Sequence, residues 1–151
     1  MQSAAAYRLE DRWLVHPNQQ TTAGVWVSVA PYLTLPPTAD YTALGNAVLE
    51  ALEHSVGVMP HPKDWKGLGH PRLAAAGVKS EKAFQLGSRL VLIERSPSGY
   101  AFQPTKNGGY RGDAKGFTPL SEQRSTLSLD CDGRELGHAL KDALQLCTQE
   151  A

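Results

Sequence analysis

Leu44, Ala47, Val48, Ala51 and Leu52 recur at i, i+3, i+4, i+7 and i+8 through YTALGNAVLEAL, which draws one apolar stripe along a helix. Asp40 or Thr38 can cap its start. Gly45 lies inside the pattern and costs about 1 kcal/mol relative to alanine, so its presence points to close packing. A second stripe, Leu136, Leu140, Ala143, Leu144 and Cys147, runs through DCDGRELGHALKDALQLC. Asp132 and Glu135 have the spacing of a capping box at its start.

Elsewhere the period falls to two. YRLEDRWLVHP contains a short strand that Pro17 is expected to end. In AGVWVSVAPYLTLPP, Val25, Val27 and Val29 alternate with Trp26 and Ser28, and Pro31 marks a bulge or a sheet edge. RLVLIERS and GYAFQPT flank PSG as the arms of an antiparallel hairpin. STLSLD predicts one more strand, with Leu127 and Leu129 on one face. Residues 57–80 are rich in proline and glycine, with a helical turn expected at Leu73–Ala76 ending at Gly77 and another beginning at Ser80. The order is strands, helix, irregular stretch, strands, helix. It predicts a single α+β domain over residues 1–151, a mainly antiparallel sheet packed by two principal amphipathic helices.

Composition narrows the function classes. Fifteen basic residues balance fifteen acidic ones, so the chain lacks the basic excess of a general nucleic-acid binder. No apolar run approaches the roughly 20 residues of a membrane helix, and MQSAAAYRLEDRW does not read as a secretory signal. Cys131 and Cys147 bracket the last helix and should lie roughly 20 Å apart. A disulfide requires Cα atoms within about 7 Å, so both thiols are expected free, as in the cytoplasm.

The stretch TKNGGYRGDAKGF, residues 105–117, holds four glycines with Lys106, Arg111 and Lys115. It lacks the G-x-x-x-x-G-K-[ST] phosphate loop and the dinucleotide fingerprint, and Asn107-Gly108 suits a tight turn with positive φ. The stretch is therefore expected to be an exposed connection whose glycines serve the backbone. Tyr110, Arg111 and Asp113 are its candidate partner contacts, because an aromatic and both signs of charge supply anchoring and selectivity. In HPKDWKGLGHP, residues 61–71, the His and Asp spacing matches no closed zinc pattern, and Trp65 either plugs the core or anchors an interface. No nucleophile elbow and no cofactor motif is present. A small hydrolase or nuclease using scattered His and Lys residues is the enzymatic alternative.

Four stretches taken together, YTALGNAVLEAL, LAAAGVKSEKAFQ, RLVLIER followed by YAFQPT, and TLSLDCDGRELGHALKDALQLC, resemble the immunity proteins of contact-dependent growth inhibition systems. The resemblance spans roughly Val25 to Cys147 and rests on framework positions. It implies a non-catalytic cytoplasmic protein, a monomer in a 1:1 complex, that binds and blocks the C-terminal toxin domain delivered by neighbouring cells. Toxins paired with such proteins are often nucleases, frequently acting on RNA. No catalytic residue, cofactor or metal is carried over. An inhibitor of a nuclease needs carboxylates facing a basic cleft, which adds Glu122 and, beside Trp65, Asp64 to the candidate contacts.

Overall fold

A computed structural model describes residues 1–149. Strand β1 (Gln2–Arg8) pairs antiparallel with β2 (Trp13–Thr21) on one side. On its other side it pairs with β6 (Arg89–Ser96), and β6 forms a hairpin with β7 (Gly99–Asn107) across a turn at Pro97 and Ser98. Short strands complete both margins. Along β2 lie β3 (Trp26–Ser28), β4 (Leu33–Leu35) and the parallel β5 (Val58–Met59). Along β7 lie β8 (Phe117–Pro119), β9 (Ser125–Leu127) and the parallel β10 (Thr148–Gln149). The result is one mainly antiparallel sheet of order β10-β7-β6-β1-β2-β3.

Helix α1 (Tyr41–Glu53) starts at Asp40, whose side chain accepts from the Ala43 amide at 2.8 Å. Helix α4 (Gly133–Leu146) starts in the full capping box of Asp132 and Glu135. The two helices pack on each other and on one face of the sheet, over Ala4, Ala6, Trp13, Val15, Val91, Ile93 and Phe102. Leu44, Leu52, Leu136 and Leu140 are fully buried, and each contributes about 1.5–3 kcal/mol by leaving water. Cys147 lies at the end of the stripe, half-buried, and its thiol donates to the Leu90 carbonyl at 3.3 Å. Both cysteines are free.

The other face has its own smaller core. Helix α2 (His70–Ala76) ends at Gly77, with φ of 74°, and α3 (Glu81–Gly87) is capped by Ser80. They bring Leu73, Ala76 and Phe84 against Ala5, Tyr7, Leu9, Leu14 and Leu90. Burial from both sides explains why β1 is QSAAAYR: alanines fit between two packed layers, where larger side chains would force them apart.

Four expectations change. Pro17 does not end a strand; it lies inside β2, opposite Ala4. Its carbonyl accepts from the Val29 amide, and its nitrogen, which has no N–H, faces the same side, where the pairing of β2 passes from β3 to β4 and Pro17 falls in the register of neither. The N-terminal segment forms a central strand of its own, starting at Gln2. The strand in STLSLD stops at Leu127, and Leu129 is exposed rather than sharing its face. Asn107-Gly108 is not a positive-φ turn: Asn107 ends β7, and the positive φ values fall at Gly109, Gly112 and Gly116.

Candidate functional site

The ladder claims Thr105–Asn107 for β7 and Phe117 for β8, so the glycine-rich connection narrows to residues 108–116. It closes on itself. The Gly108 amide donates to the Gly116 carbonyl and the Gly116 amide to the Gly109 carbonyl, each at 2.8 Å. A Cβ on Gly108 would fall 1.6 Å from the Ala114 carbonyl oxygen, so this glycine is required by contact and its neighbours by conformation.

Asn107 anchors the loop from below. Its buried amide donates to the carbonyls of Gln85 and Ser88 at 2.6 and 2.8 Å. Its oxygen accepts from the Gln85 side chain at 2.8 Å and from the Gly109 amide at 2.9 Å. Every polar position of the side chain is thereby used, which ties the loop to the end of α3.

Between loop and helix runs an open groove of about 460 Å³, lined by Glu81, Gln85, Gly109, Tyr110, Lys115 and Gly116. Tyr110 is 41% exposed, and Arg111 and Asp113 are exposed at the tip. Glu81 accepts from Arg72 at 2.7 Å, while the Arg72 guanidinium lies 4.4 Å from the Phe84 ring centroid. A side chain as small as a methyl at Gly69 would meet the Glu81 carboxylate, so this carboxylate also touches the segment that follows Trp65.

Asp64 and Trp65 lie on that segment. Asp64 accepts from the Lys66 amide at 2.8 Å. Trp65 is 48% exposed and packs edge-on against His61, which is hydrogen-bonded to Thr21 at 2.9 Å. Trp65 is therefore a surface residue and does not plug the core. Glu122 stands apart from both groups, exposed in the 3-10 turn Ser121–Gln123 beside β7. The structure thus places Tyr110, Arg111 and Asp113 on one loop and Asp64 with Trp65 on another. Glu81 touches the margins of both.

The sequence reading missed Glu81, Gln85 and Arg72, whose roles arise only when α2 and α3 fold over the sheet. It also missed His16. That ring is 1% exposed beneath them, between Tyr7 and Tyr32. Its Nδ1 donates to the Pro17 carbonyl at 2.9 Å, and Nε2 has no partner. Burial lowers its pKa to about 4, so the ring is neutral at pH 7. Burial likewise pushes the Tyr7 hydroxyl and both cysteine thiols up.

The remaining histidines have separate surroundings: His54 bonds the Glu50 carbonyl, His70 opens α2 and His138 pairs with Asp142. Among the described residues no three His, Cys, Asp or Glu side chains are grouped to hold a metal ion, and no helix is long and apolar enough to cross a membrane.

No protein-family model matches the chain, and no curated protein matches it. Solved structures share its fold. A protein of unknown function from Neisseria meningitidis superposes with a TM-score of 0.76 at 21% identity, over 97% of this chain and 94% of that one. A chain of the CdiA-CT/CdiI toxin and immunity complex from Yersinia pseudotuberculosis superposes with a TM-score of 0.73 at 17% identity, over 97% of each chain. At such identities the likeness establishes the fold.

Proposed function

We propose that this protein is a non-catalytic immunity protein that binds and neutralises the C-terminal toxin domain of a contact-dependent growth inhibition system. The observation that carries the reading is end-to-end similarity in fold to a chain of a toxin and immunity complex. The sequence motifs that resemble immunity proteins support it independently, because they fall on the elements that build this fold: α1, α2 with α3, the β6–β7 hairpin, and β9 with α4.

The binding surface includes the loop 108–116 and its groove, with Tyr110 as aromatic anchor and Arg111 and Asp113 setting selectivity through charge. Asp64 and Trp65 extend it along the segment that reaches Glu81. Glu122, exposed on the turn after β8, is a further candidate contact. The toxin is a nuclease in this reading, and the inhibitor works as a monomer in a 1:1 cytoplasmic complex without cofactor.

The test is a pull-down with the toxin domain encoded immediately upstream of this gene, followed by co-expression in cells intoxicated by that domain. Stoichiometric binding and restored growth are expected. Turnover of a substrate by the isolated protein, lost on substituting one histidine, would replace this reading with an enzyme.

A further inference from the structure

We infer that Arg8 and Arg89 form a second docking site, which holds an acidic side chain of the protein partner. The two residues face each other directly in the antiparallel register of β1 and β6. Positions paired in this way put both side chains on one face of the sheet, with Cβ atoms about 4.5–5.5 Å apart. Like charges so placed destabilise a sheet. The repulsion calls for a compensating anion, and none of the described carboxylates supplies one.

Arg8 donates through Nη1 to the carbonyls of Leu9 and Glu10, and its guanidinium lies 5.9 Å from the Trp13 ring centroid. These contacts fix the group in place and leave its Nε and Nη2 donors open. Asp11 is taken by Arg12, at 3.0 Å. Glu10 is exposed and, among the described residues, pairs with neither arginine. Arg89 is half-buried opposite, and among the described residues its side chain bonds no carboxylate.

Both arginines open into a groove of about 420 Å³, whose walls include Leu86, Gly87 and Gln149. Leu86 is 54% exposed and offers an apolar contact beside the charges. A Cβ on Gly87 would meet nothing within 4 Å, so the rim is low there and a partner side chain can enter. Gln85, two residues earlier, lines the groove beside Tyr110. The two grooves therefore flank the end of α3, where one partner surface reaches both.

The chemistry of the groove selects its occupant. Two guanidinium groups side by side bind a carboxylate or a phosphate through charge-assisted hydrogen bonds. Glu10 on the rim, with Asp11 next to it, repels a long polyanion, and the chain has no basic excess to hold one. Leu86 adds a contact that a phosphate backbone does not use. A single Asp or Glu on a protein surface, with an apolar residue beside it, matches both features.

This inference rests on the proposed function for the partner's identity, and the probe is the toxin domain encoded upstream. In the free protein, Arg89→Glu turns a like-charged pair into an opposite one and should raise the melting temperature. The same substitution should weaken toxin binding more than tenfold, with Arg89→Gln falling between it and wild type. Added salt should weaken the wild type more than Arg89→Gln. One carboxylate-to-lysine variant of the toxin domain should restore binding to Arg89→Glu.

Tight binding, with affinity and salt dependence unchanged in both variants, would overturn the docking site and leave the proposed function standing. No binding by the wild type would overturn both. A lower melting temperature for Arg89→Glu would refute the repulsion from which the site is inferred. Binding of a single-stranded RNA oligonucleotide, lost in Arg89→Gln, would assign the pair to nucleic acid instead. Concentration-dependent dimerisation of the wild type, lost in the same variant, would assign it to a second copy of this chain.

Discussion

A Cβ placed on Gly45 would lie 1.5 Å from the carbonyl oxygen of Gly133, and one on Gly137 would lie 1.7 Å from that of Tyr41. Backbone therefore meets backbone where α1 crosses α4, with glycine on both sides. The two helices approach each other more closely than any side chain allows, and this lets both stripes reach the sheet.

Gly45→Ala should consequently destabilise the protein despite alanine's better helix propensity. Overpacking of about 1–3 kcal/mol outweighs a propensity gain of about 1 kcal/mol. Gly87 is the control, since a Cβ there meets nothing within 4 Å. Gly87→Ala should be neutral or stabilising. Urea denaturation of the two variants measures the difference; equal stabilities would mean that the helices cross elsewhere.

His16 predicts acid sensitivity. The folded ring has its pKa lowered to about 4 from an ordinary value of 6.5. Between these values the unfolded chain binds a proton that the folded chain does not, so stability falls as pH drops from 6.5 toward 4. By pH 5 the loss should be about 2 kcal/mol. His16→Phe should reduce that slope in denaturation curves taken at pH 7.5 and pH 5. The same loss in wild type and variant would exonerate the ring.

Asn107→Ala leaves the Gln85 and Ser88 carbonyls without their donor and frees the Gly109 amide. Losing buried partners of this kind costs about 1–3 kcal/mol each in the worst case. The variant should melt lower and show faster amide exchange throughout residues 108–116. Fast exchange confined to other loops would show that the anchor lies elsewhere.

Replacing Tyr110, Arg111 and Asp113 together by alanine should leave the melting temperature nearly unchanged, because all three are exposed. Affinity for the toxin domain should fall more than tenfold, or about 1.4 kcal/mol. Titration calorimetry reads the affinity and scanning calorimetry the melting temperature. Unaltered affinity would restrict the loop to a backbone role and move the interface toward Asp64 and Trp65.

What the sequence disclosed follows from how local each signal is. The helices α1 and α4 were legible because a stripe and a cap are written within one element, and Gly45 even announced its close contact. The β6–β7 hairpin was legible for the same reason. By contrast, β1 was hidden: Ala4, Ala5 and Ala6 show no period-two contrast, because both of their faces are buried. Pro17 misled because proline's fit in a strand depends on which neighbour is absent. The candidate loop was found by its composition, but its groove was not. Glu81 and Gln85 face Tyr110 and Lys115 only through tertiary packing, which no spacing within the chain records.

The place of β1 in the sheet sets the timetable of synthesis. Gln2 pairs with Arg95 and Arg8 with Arg89, so β1 leaves the ribosome well before β6, one of its two neighbours, has been made. At about 5–20 residues per second, that wait is roughly 5–20 s. During it, residues 2–8 can pair only with β2 and present an unfilled alanine edge to any chaperone or nascent chain nearby. A sheet arranged in this way closes around β1 only once β6 has emerged.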